Sequence, residues 1–259
     1  MPTPTSLTFE RYTEDLIRSV AADAEVLGLV LVGSTADVSR VDEWSDHDLF
    51  LITVDGAQER FRLDLGWLPG ADRLVLRVRE TEHGLKAVYD DGRVVELAVF
   101  SVAELSLAQA NSYRVALDRG GVTQVMAAIA GRAKPSHVVD VDREAALFLS
   151  LLLIGVGRAR RGEVLAAGQH IRSHALAHLL MLWRALVPEP CPERLDDLDV
   201  FRRFELVYPE AGARVSETLA ADPETCARGL LALAEEGLAG RWTQWPGAAA
   251  DVLRRRLGW

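Results

Sequence analysis

Two aspartates separated by one residue are the residues of this sequence best suited to chemistry. Asp46 and Asp48 stand in the segment SDHDLFLIT, where an acidic loop runs into apolar residues typical of a strand. Because side chains alternate along a strand, both carboxylates project from the same face. Mg²⁺ prefers oxygen ligands and commonly binds one or two carboxylates together with substrate phosphates and water. The spacing therefore predicts a binding site for a hard divalent ion, although two acids with this spacing also occur in ordinary solvated loops.

A Gly-Ser pair at the end of the preceding strand gives the two aspartates a context. Gly33 and Ser34 follow the apolar run LGLVLV, residues 27–32, and lead into TADVSRV, which we expect to form a short helix. Glycine lets the backbone approach a ligand closely, and the serine hydroxyl can donate to an anion or cap the helix. Backbone N–H groups at the start of a helix suit phosphate oxygens. We therefore predict a phosphate-binding turn at Gly33 and Ser34.

The order of strand, Gly-Ser, short helix, Ser-Asp-x-Asp and second strand resembles the signature of the polymerase-beta-like nucleotidyltransferase superfamily. Within it, the chain looks most like the small-molecule antibiotic adenylyltransferases of the aminoglycoside and lincosamide type. The spacer from Thr35 to Ser45 has the customary length of that family. Two positions depart from the family pattern, which often has Gly near Val38 and an apolar residue at His47. Side-chain alternation directs His47 to the face opposite the two aspartates, so we expect it to be packed or partly exposed.

The resemblance implies a third carboxylate on a later strand, beside the first two. Glu96 in RVVELAVF is the only acid of this region with apolar strand residues on both sides, and a charge buried there needs partners. The other acids stand among Gly, Pro, Arg or further acids, as in solvated loops or strand edges: Asp64, Asp72, Glu80, Glu82, Asp90 and Asp91. By analogy, Glu96 either completes the metal site or takes the proton from an acceptor, and the sequence leaves both roles open.

The resemblance also implies an activity. It predicts an Mg²⁺-dependent enzyme that moves a nucleoside monophosphate, AMP from ATP or the equivalent from another NTP, onto a hydroxyl of a small molecule such as an aminoglycoside or lincosamide antibiotic. The expected biological role is then antibiotic resistance. Two alternatives stay open: nucleotidylylation of a protein or RNA, as in toxin-antitoxin members of the superfamily, and a catalytically silent nucleotide-binding module. Retention of Gly33, Ser34, Asp46, Asp48 and Glu96 disfavours the silent module.

Charge and composition limit the kinds of binding partner that we expect for this chain. The net charge of −9 disfavours binding to nucleic acid or an anionic membrane and suits a cationic acceptor. Only Cys191 and Cys226 are present, so neither a disulfide framework nor a thiolate zinc site is expected. The amino terminus lacks a signal-peptide pattern, and the apolar run at 145–157 is too short to span a bilayer. We therefore predict a cytoplasmic protein without membrane or nucleic-acid partners, either a monomer or a homodimer.

The periodicity of apolar residues changes along the chain and predicts an α+β protein. Residues 1–135 are expected to form a small mixed-sheet nucleotidyltransferase domain, and residues 136–259 an all-α helical bundle. In the first part we predict a helix over 8–25, strands in 27–32, 49–54, 72–80, 84–90 and 93–100, and helices over 105–120 and 122–131. The helix over 105–120 is predicted from a capping-box spacing, Ser101 to Glu104. In the second part we predict helices over 143–160, 163–186, 199–219, 223–238 and 247–257, with Asp222 capping the helix at Pro223.

Two polar clusters in the helical part have competing interpretations. Arg158, Arg160 and Arg161, the last in an Arg-Gly-Glu at a helix start, either bind triphosphate oxygens or stabilise the carboxyl end of a helix. On the first interpretation Arg161 is a nucleotide-binding residue. His170, His174 and His178 fall four residues apart on one helix stripe. We interpret these histidines as a partly buried polar stripe rather than a metal site, because no Cys or H-E-x-x-H accompanies them.

Overall fold

The structure, a computed structural model, describes residues 4–109, 112–131, 139–190, 194 and 199–259. The chain folds into two compact units, Met1–Lys134 and Pro135–Trp259. The first unit is a sheet with helices, and the second is built from helices, so the fold class is α+β. The elements of the first unit are α1 (Pro4–Ala21), β1 (Val26–Val32), α2 (Gly33–Ala36), β2 (His47–Thr53), α3 (Gln58–Leu63), β3 (Leu74–Arg79), β4 (Gly84–Tyr89), β5 (Val94–Ser101), β6 (Tyr113–Asp118) and α4 (Val122–Gly131).

The six strands form one mixed sheet in the order β3-β4-β5-β2-β1-β6. Strand β2 pairs with β5 in parallel, and the other four neighbouring pairs are antiparallel. The parallel pairing is in register without a bulge from His47 opposite Val95 to Thr53 opposite Ser101. This register sets which side chains of the two central strands lie directly across from each other.

The two faces of the sheet are covered by different elements. One face packs against α1 and α3, and its core includes Leu16, Leu31, Leu49, Phe61 and Leu97. The other face packs against α4 and the 3-10 segment Glu104–Leu107, with a smaller core formed by Val30, Ile52, Phe100, Leu105, Ala108, Val122 and Met126. Strand alternation therefore sends consecutive residues of β2 to two separate cores.

One predicted helix is wrong. Where the structure describes residues 105–120, they do not form the predicted helix: Glu104–Leu107 is a 3-10 segment, and Tyr113–Asp118 is the edge strand β6, paired with β1. The capping box itself is present, because Glu104 Oε2 accepts from Ser101 N at 2.8 Å and Ser101 Oγ accepts from Glu104 N at 3.2 Å. The capping box begins only a single turn. The alternating residues YRVALD form a strand instead, and this strand pairs with the edge of β1 that would otherwise lack a partner.

The helices of the second unit follow the predicted pattern with two changes. They are α5 (Val141–Arg160), α6 (Val164–Gly168), α7 (Leu176–Leu186), α8 (Phe204–Val207), α9 (Pro209–Leu219), α10 (Pro223–Ala234) and α11 (Gly247–Leu257). The predicted helix over 199–219 starts only at Phe204 and is divided before Pro209, because the residue before a proline avoids the α region. Segments Gln169–Ala175 and Glu235–Ala239 are π-helical. Asp222 caps α10 as predicted, accepting from the backbone N–H groups of Glu224 and Thr225.

The described residues of the second unit share one apolar core, and Trp183 on α7 belongs to it. Buried leucines, alanines and aromatic residues from α5, α7, α8, α9, α10 and α11 contribute to this core. Among the described residues, no helix has both the length and the apolar character needed to cross a membrane.

The contact between Gly237 and Trp183 generates a stability prediction. A Cβ atom at Gly237 would lie 2.2 Å from the Trp183 ring, so Gly237→Ala overpacks the core. We expect the free energy of unfolding to fall by about 1–3 kcal/mol. Gly240→Ala is the matched control, because nothing lies within 4 Å of its Cβ position. Urea unfolding followed by circular dichroism measures both; an equal loss in the two variants would contradict the packing argument.

Candidate functional site

Three carboxylates of the first unit converge at the sheet. One oxygen each of Asp46, Asp48 and Glu96 lie within 4.8 Å of one another, and all three residues are partly exposed. Asp48 and Glu96 are directly opposite in the parallel β2–β5 pairing, and Asp46 precedes β2 by one residue. The structure thus brings together the three acids singled out in the sequence. Glu96 is less buried than expected, with a side chain 41% exposed, because the row that it shares with Asp48 lies near the start of both strands.

The Gly-Ser turn is built around the two aspartates. Gly33 has φ of +59°, and a Cβ there would lie 2.5 Å from Asp48 Oδ2. A side chain at this position would therefore be strained and would displace the Asp48 carboxylate. Helix α2 starts at Gly33 itself and is only four residues long, followed by the 3-10 segment Val38–Arg40, so the helix predicted after the turn is shorter than expected.

Hydroxyl groups of α2 hold the strand that carries the acids. Ser34 Oγ donates to the Asp46 carbonyl at 3.3 Å rather than capping the helix. Thr35, which the sequence analysis did not single out, is 1% exposed. Its Oγ1 accepts from Asp48 N at 2.9 Å and lies 3.5 Å from the Asp46 carbonyl oxygen. Thr35 therefore fixes the backbone of both aspartates, and the signal available in the sequence was only its place directly after Gly-Ser.

An exposed tryptophan lies on the turn that precedes Asp46 in the chain. Trp44 is 85% exposed and lies two residues before Asp46. Asp42 Oδ1 accepts from Trp44 N at 2.9 Å and from Ser45 Oγ at 3.1 Å, and Ser45 Oγ accepts from Asp42 N at 3.0 Å. The turn is thus held by its own side chains. Asp42 and Glu43 precede Trp44 in the chain, and an exposed aromatic face combined with carboxylates favours cations.

His47 lies on the opposite face from the acids, as alternation predicts. It is 2% exposed, stacks on Phe9 with ring centroids 3.7 Å apart, and meets the Tyr12 ring edge-on. Its Nε2–H donates to the Phe9 carbonyl at 3.3 Å, while Nδ1 is buried without a hydrogen-bond partner. Burial is the main cause that lowers the pKa of His47 to about 4, and the nearby Arg93 charge contributes in the same direction. The middle residue of Asp-His-Asp is therefore a neutral anchor for α1.

A basic side chain that the sequence analysis missed lies against the triad. Lys86 on β4 is directly opposite Glu96 on β5, and its Nζ lies 3.2 Å from Glu96 Oε1. The same ammonium lies 3.2 Å from Glu80 Oε2. These two carboxylates, Glu96 first, raise the pKa of Lys86. No signal in the sequence pointed to Lys86, because its place depends on the register between β4 and β5.

The three clustered arginines of the second unit have acidic partners within that unit. Arg161 Nε lies 2.9 Å from Glu163 Oε1, and Arg158 Nη1 lies 2.6 Å from Glu163 Oε2. Arg160 makes two contacts with Glu224, which lower the pKa of that carboxyl to about 2. These ion pairs lie at the carboxyl end of α5. The assignment of Arg161 to nucleotide binding stays a prediction.

In the histidine stripe, His178 is hydrogen-bonded to a buried carboxylate, and the described residues form no ligand cluster there. His178 Nδ1 is hydrogen-bonded to Glu144 Oε2, and Glu144 is only 5% exposed. Arg143 binds the other oxygen of that carboxylate. His170 pairs with the Ala166 carbonyl. In the part of the chain that the structure describes, the triad at the sheet is the one group of three or more such side chains placed to hold a metal ion.

Comparisons with solved structures give matches at low similarity. An aminoglycoside 6-adenyltransferase from Bacillus subtilis matches with a TM-score of 0.33 and 12% identity, over 93% of this chain and 95% of that one. A nucleotidyltransferase-like protein from Exiguobacterium sibiricum 255-15 matches with a TM-score of 0.33 and 18% identity, over 95% and 80%. CdnC from its complex with HORMA-deltaN, from E. coli MS115-1, matches with a TM-score of 0.32 and 13% identity, over 93% of each chain.

No protein-family model and no curated protein matches the sequence. The structural matches include an adenyltransferase and a nucleotidyltransferase-like protein. The TM-scores of these three matches lie below 0.5, so the function proposed below depends on the side chains of this chain.

The buried His47 generates a prediction for stability against pH. An exposed histidine has a pKa near 6.5, whereas His47 has a pKa of about 4 when folded. Between these values the unfolded chain binds more protons, so stability is lost as the pH falls from about 6.5 to 4. The loss attributable to His47 is about 3 kcal/mol at pH 4. His47→Phe keeps a ring against Phe9 and removes the titration, so we expect a flatter profile in urea unfolding at pH 4–7. An unchanged profile would contradict the assignment.

Proposed function

We propose that this chain is an Mg²⁺-dependent nucleotidyltransferase that moves AMP from ATP onto a hydroxyl of a small cationic acceptor. The observation that carries the proposal is the convergence of Asp46, Asp48 and Glu96, whose ligand oxygens lie within 4.8 Å of one another. Three hard oxygen donors at this separation fit a divalent ion that prefers carboxylates. The close approach of Asp48 to Gly33 supports the same interpretation, because the turn lacks a side chain where the carboxylate lies.

Each residue described at the site has a separate role in the proposed reaction. Asp46 and Asp48 would hold Mg²⁺, which supplies charge stabilisation for the phosphates when bound. The acceptor hydroxyl oxygen forms a bond to the α-phosphorus, the bond from the α-phosphorus to the bridging oxygen breaks, and pyrophosphate leaves. Glu96 either takes the hydroxyl proton or serves as a third ligand. Thr35 and Ser34 keep the aspartate backbone fixed, which limits reorganisation during the reaction.

The acceptor is proposed to be cationic because the chain is acidic and two acids precede an exposed tryptophan. The net charge of the chain is −9, and Asp42 and Glu43 precede the exposed Trp44. An indole face next to carboxylates binds an ammonium or guanidinium group through cation–π and ion-pair contacts. A hydroxylated polyamine-like antibiotic such as an aminoglycoside has this chemistry. AMP on a protein or RNA, instead of a small molecule, is the outcome that would redirect the proposal.

Removal of one triad carboxylate is the direct test. Purified protein is incubated with ATP, Mg²⁺ and pooled hydroxylated antibiotics, and mass spectrometry detects an acceptor with an added nucleotide. We expect Asp48→Asn to lower turnover at least about 100-fold and to weaken Mn²⁺ binding measured by calorimetry. Asp72→Asn, on an exposed turn, makes the same change of charge and is expected to keep activity.

Glu96→Gln separates the two roles open to that residue. As the base, its loss lowers turnover by about 10²–10⁴-fold and leaves Mn²⁺ affinity nearly intact. As a ligand, its loss lowers both. Full turnover in the Asp48→Asn variant, or no nucleotide transfer by the unmodified protein to any acceptor, would contradict the proposed function.

Trp44 generates a separate prediction about the acceptor. Because the ring is exposed and the turn is held by hydrogen bonds of Asp42, Trp44→Ala removes an aromatic face without disturbing the core. We expect the KM for the acceptor to rise about fivefold or more while the KM for ATP stays unchanged. Trp44→Phe keeps an aromatic face and is expected to recover most of the affinity. Equal changes in both KM values would argue against contact with the acceptor.

A further inference from the structure

We propose that Lys86 binds the nucleotide triphosphate, pairing with Glu96 in the free protein and with phosphate oxygens when nucleotide and metal ion are bound. This inference rests on the proposed function and adds to it a residue that recognises the co-substrate. The observation that supports it is separate from the convergence of the three acids: an ammonium group lies against one of them.

The position of Lys86 follows from the sheet register. Lys86 is directly opposite Glu96, and Glu96 is directly opposite Asp48, so the three residues form one row across β4, β5 and β2. Directly opposed residues of neighbouring strands share a face and lie about 5 Å apart at Cβ. The row continues to Val78 on β3. Lys86 is thus on the triad face, one strand away from the nearest triad carboxylate.

Charge balance explains why the ammonium would change partners. Without a metal ion, three carboxylates repel one another, and the Lys86 ammonium at 3.2 Å offsets part of that repulsion. A divalent ion held by the same carboxylates would offset this repulsion instead and would repel the ammonium. A bound triphosphate is strongly anionic and supplies new acceptor oxygens nearby. With both bound, the attraction of the Lys86 ammonium to Glu96 would be weaker and its attraction to the phosphate oxygens stronger.

The side chain is free enough to make the exchange. Lys86 is 37% exposed, and its second partner, Glu80, is 54% exposed. Exposed ion pairs contribute little stability, so breaking this one is inexpensive. Lysine is a compact charge on a flexible four-carbon stem and acts as a point donor to phosphate.

The competing explanation is a static ion pair that only joins β4 to β5. The two explanations differ in sign for metal binding. If Lys86 merely orients Glu96, removing it weakens the binding of a metal ion. If Lys86 competes with the ion for Glu96, removing it strengthens the binding of the ion alone and weakens the binding of nucleotide.

Chemical labelling tests whether Lys86 reaches the phosphates. An ATP analogue with an acyl group on its γ-phosphate acylates a nearby lysine: the ε-amine attacks the acyl carbon, an amide forms and ATP leaves. The chain contains only two lysines, Lys86 and Lys134, so peptide mass spectrometry identifies the site without ambiguity. We expect Mg²⁺-dependent labelling of Lys86 that excess ATP prevents and that Asp48→Asn reduces.

Variants test the same idea in solution. We expect Lys86→Met to raise the KM for ATP about tenfold or more with a smaller change in kcat, and to tighten the binding of Mn²⁺ alone about threefold. Lys86→Arg is expected to restore most of the ATP affinity. Arg77→Met is the control for lost charge, because Arg77 lies on neighbouring β3, is exposed, and is opposite Ala87, which belongs to the core of the other face.

The outcomes separate this inference from the proposed function. Nucleotide transfer that needs Mg²⁺, together with no labelling of Lys86 and an unchanged ATP KM in Lys86→Met, would overturn the inference and leave the function standing. Weaker Mn²⁺ binding in Lys86→Met would favour the static ion pair and also overturn it. Absence of any Mg²⁺-dependent nucleotide binding would overturn both.

Discussion

The parallel, in-register pairing of β2 with β5 is the constraint on which the site depends. It puts Asp48 directly opposite Glu96, although the two residues are 48 positions apart in the chain. Such closeness of like charges is unfavourable in itself, and the sheet imposes it because the apolar residues that follow on both strands are buried together. Leu49, Leu51 and Leu97 lie in the core on one face, and their burial determines the register. The packing energy of the sheet thus holds three carboxylates where they repel, which is the arrangement that a cation relieves.

The turn before the triad shows how local sequence serves that constraint. Gly33 is required twice, for a positive φ and for the space that the Asp48 carboxylate occupies. Ser34 and Thr35 direct their hydroxyl groups to the backbone of the two aspartates. These hydroxyl groups position the acids, so the Gly-Ser pair already has a role in the geometry of the carboxylates, and its assignment to phosphate binding stays a prediction.

The sequence predicted the parts of this site that are local and missed those that depend on register. Asp46 and Asp48 share a face by alternation, and Glu96 stood out among apolar neighbours, so the three acids needed only the period of a strand. Thr35 and Lys86 were missed because their partners are fixed by tertiary pairing. The edge strand β6 was predicted as a helix for the same reason. Its alternating residues form a strand because they pair with β1, and a short stretch of sequence does not show that β1 has an edge available for pairing.

His47 shows why the spacing between the two aspartates matters on both faces of the sheet. Because consecutive side chains of a strand point in opposite directions, the residue that separates the acids must be one that the other core accepts. His47 fits there as a neutral ring stacked on Phe9, with its Nε2–H on a helix carbonyl. A slip of one residue in β2 would bury Asp48 beneath α1 and expose His47 at the triad, at the cost of an unpaired buried charge. The anchor on one face therefore enforces the orientation of the carboxylates on the other.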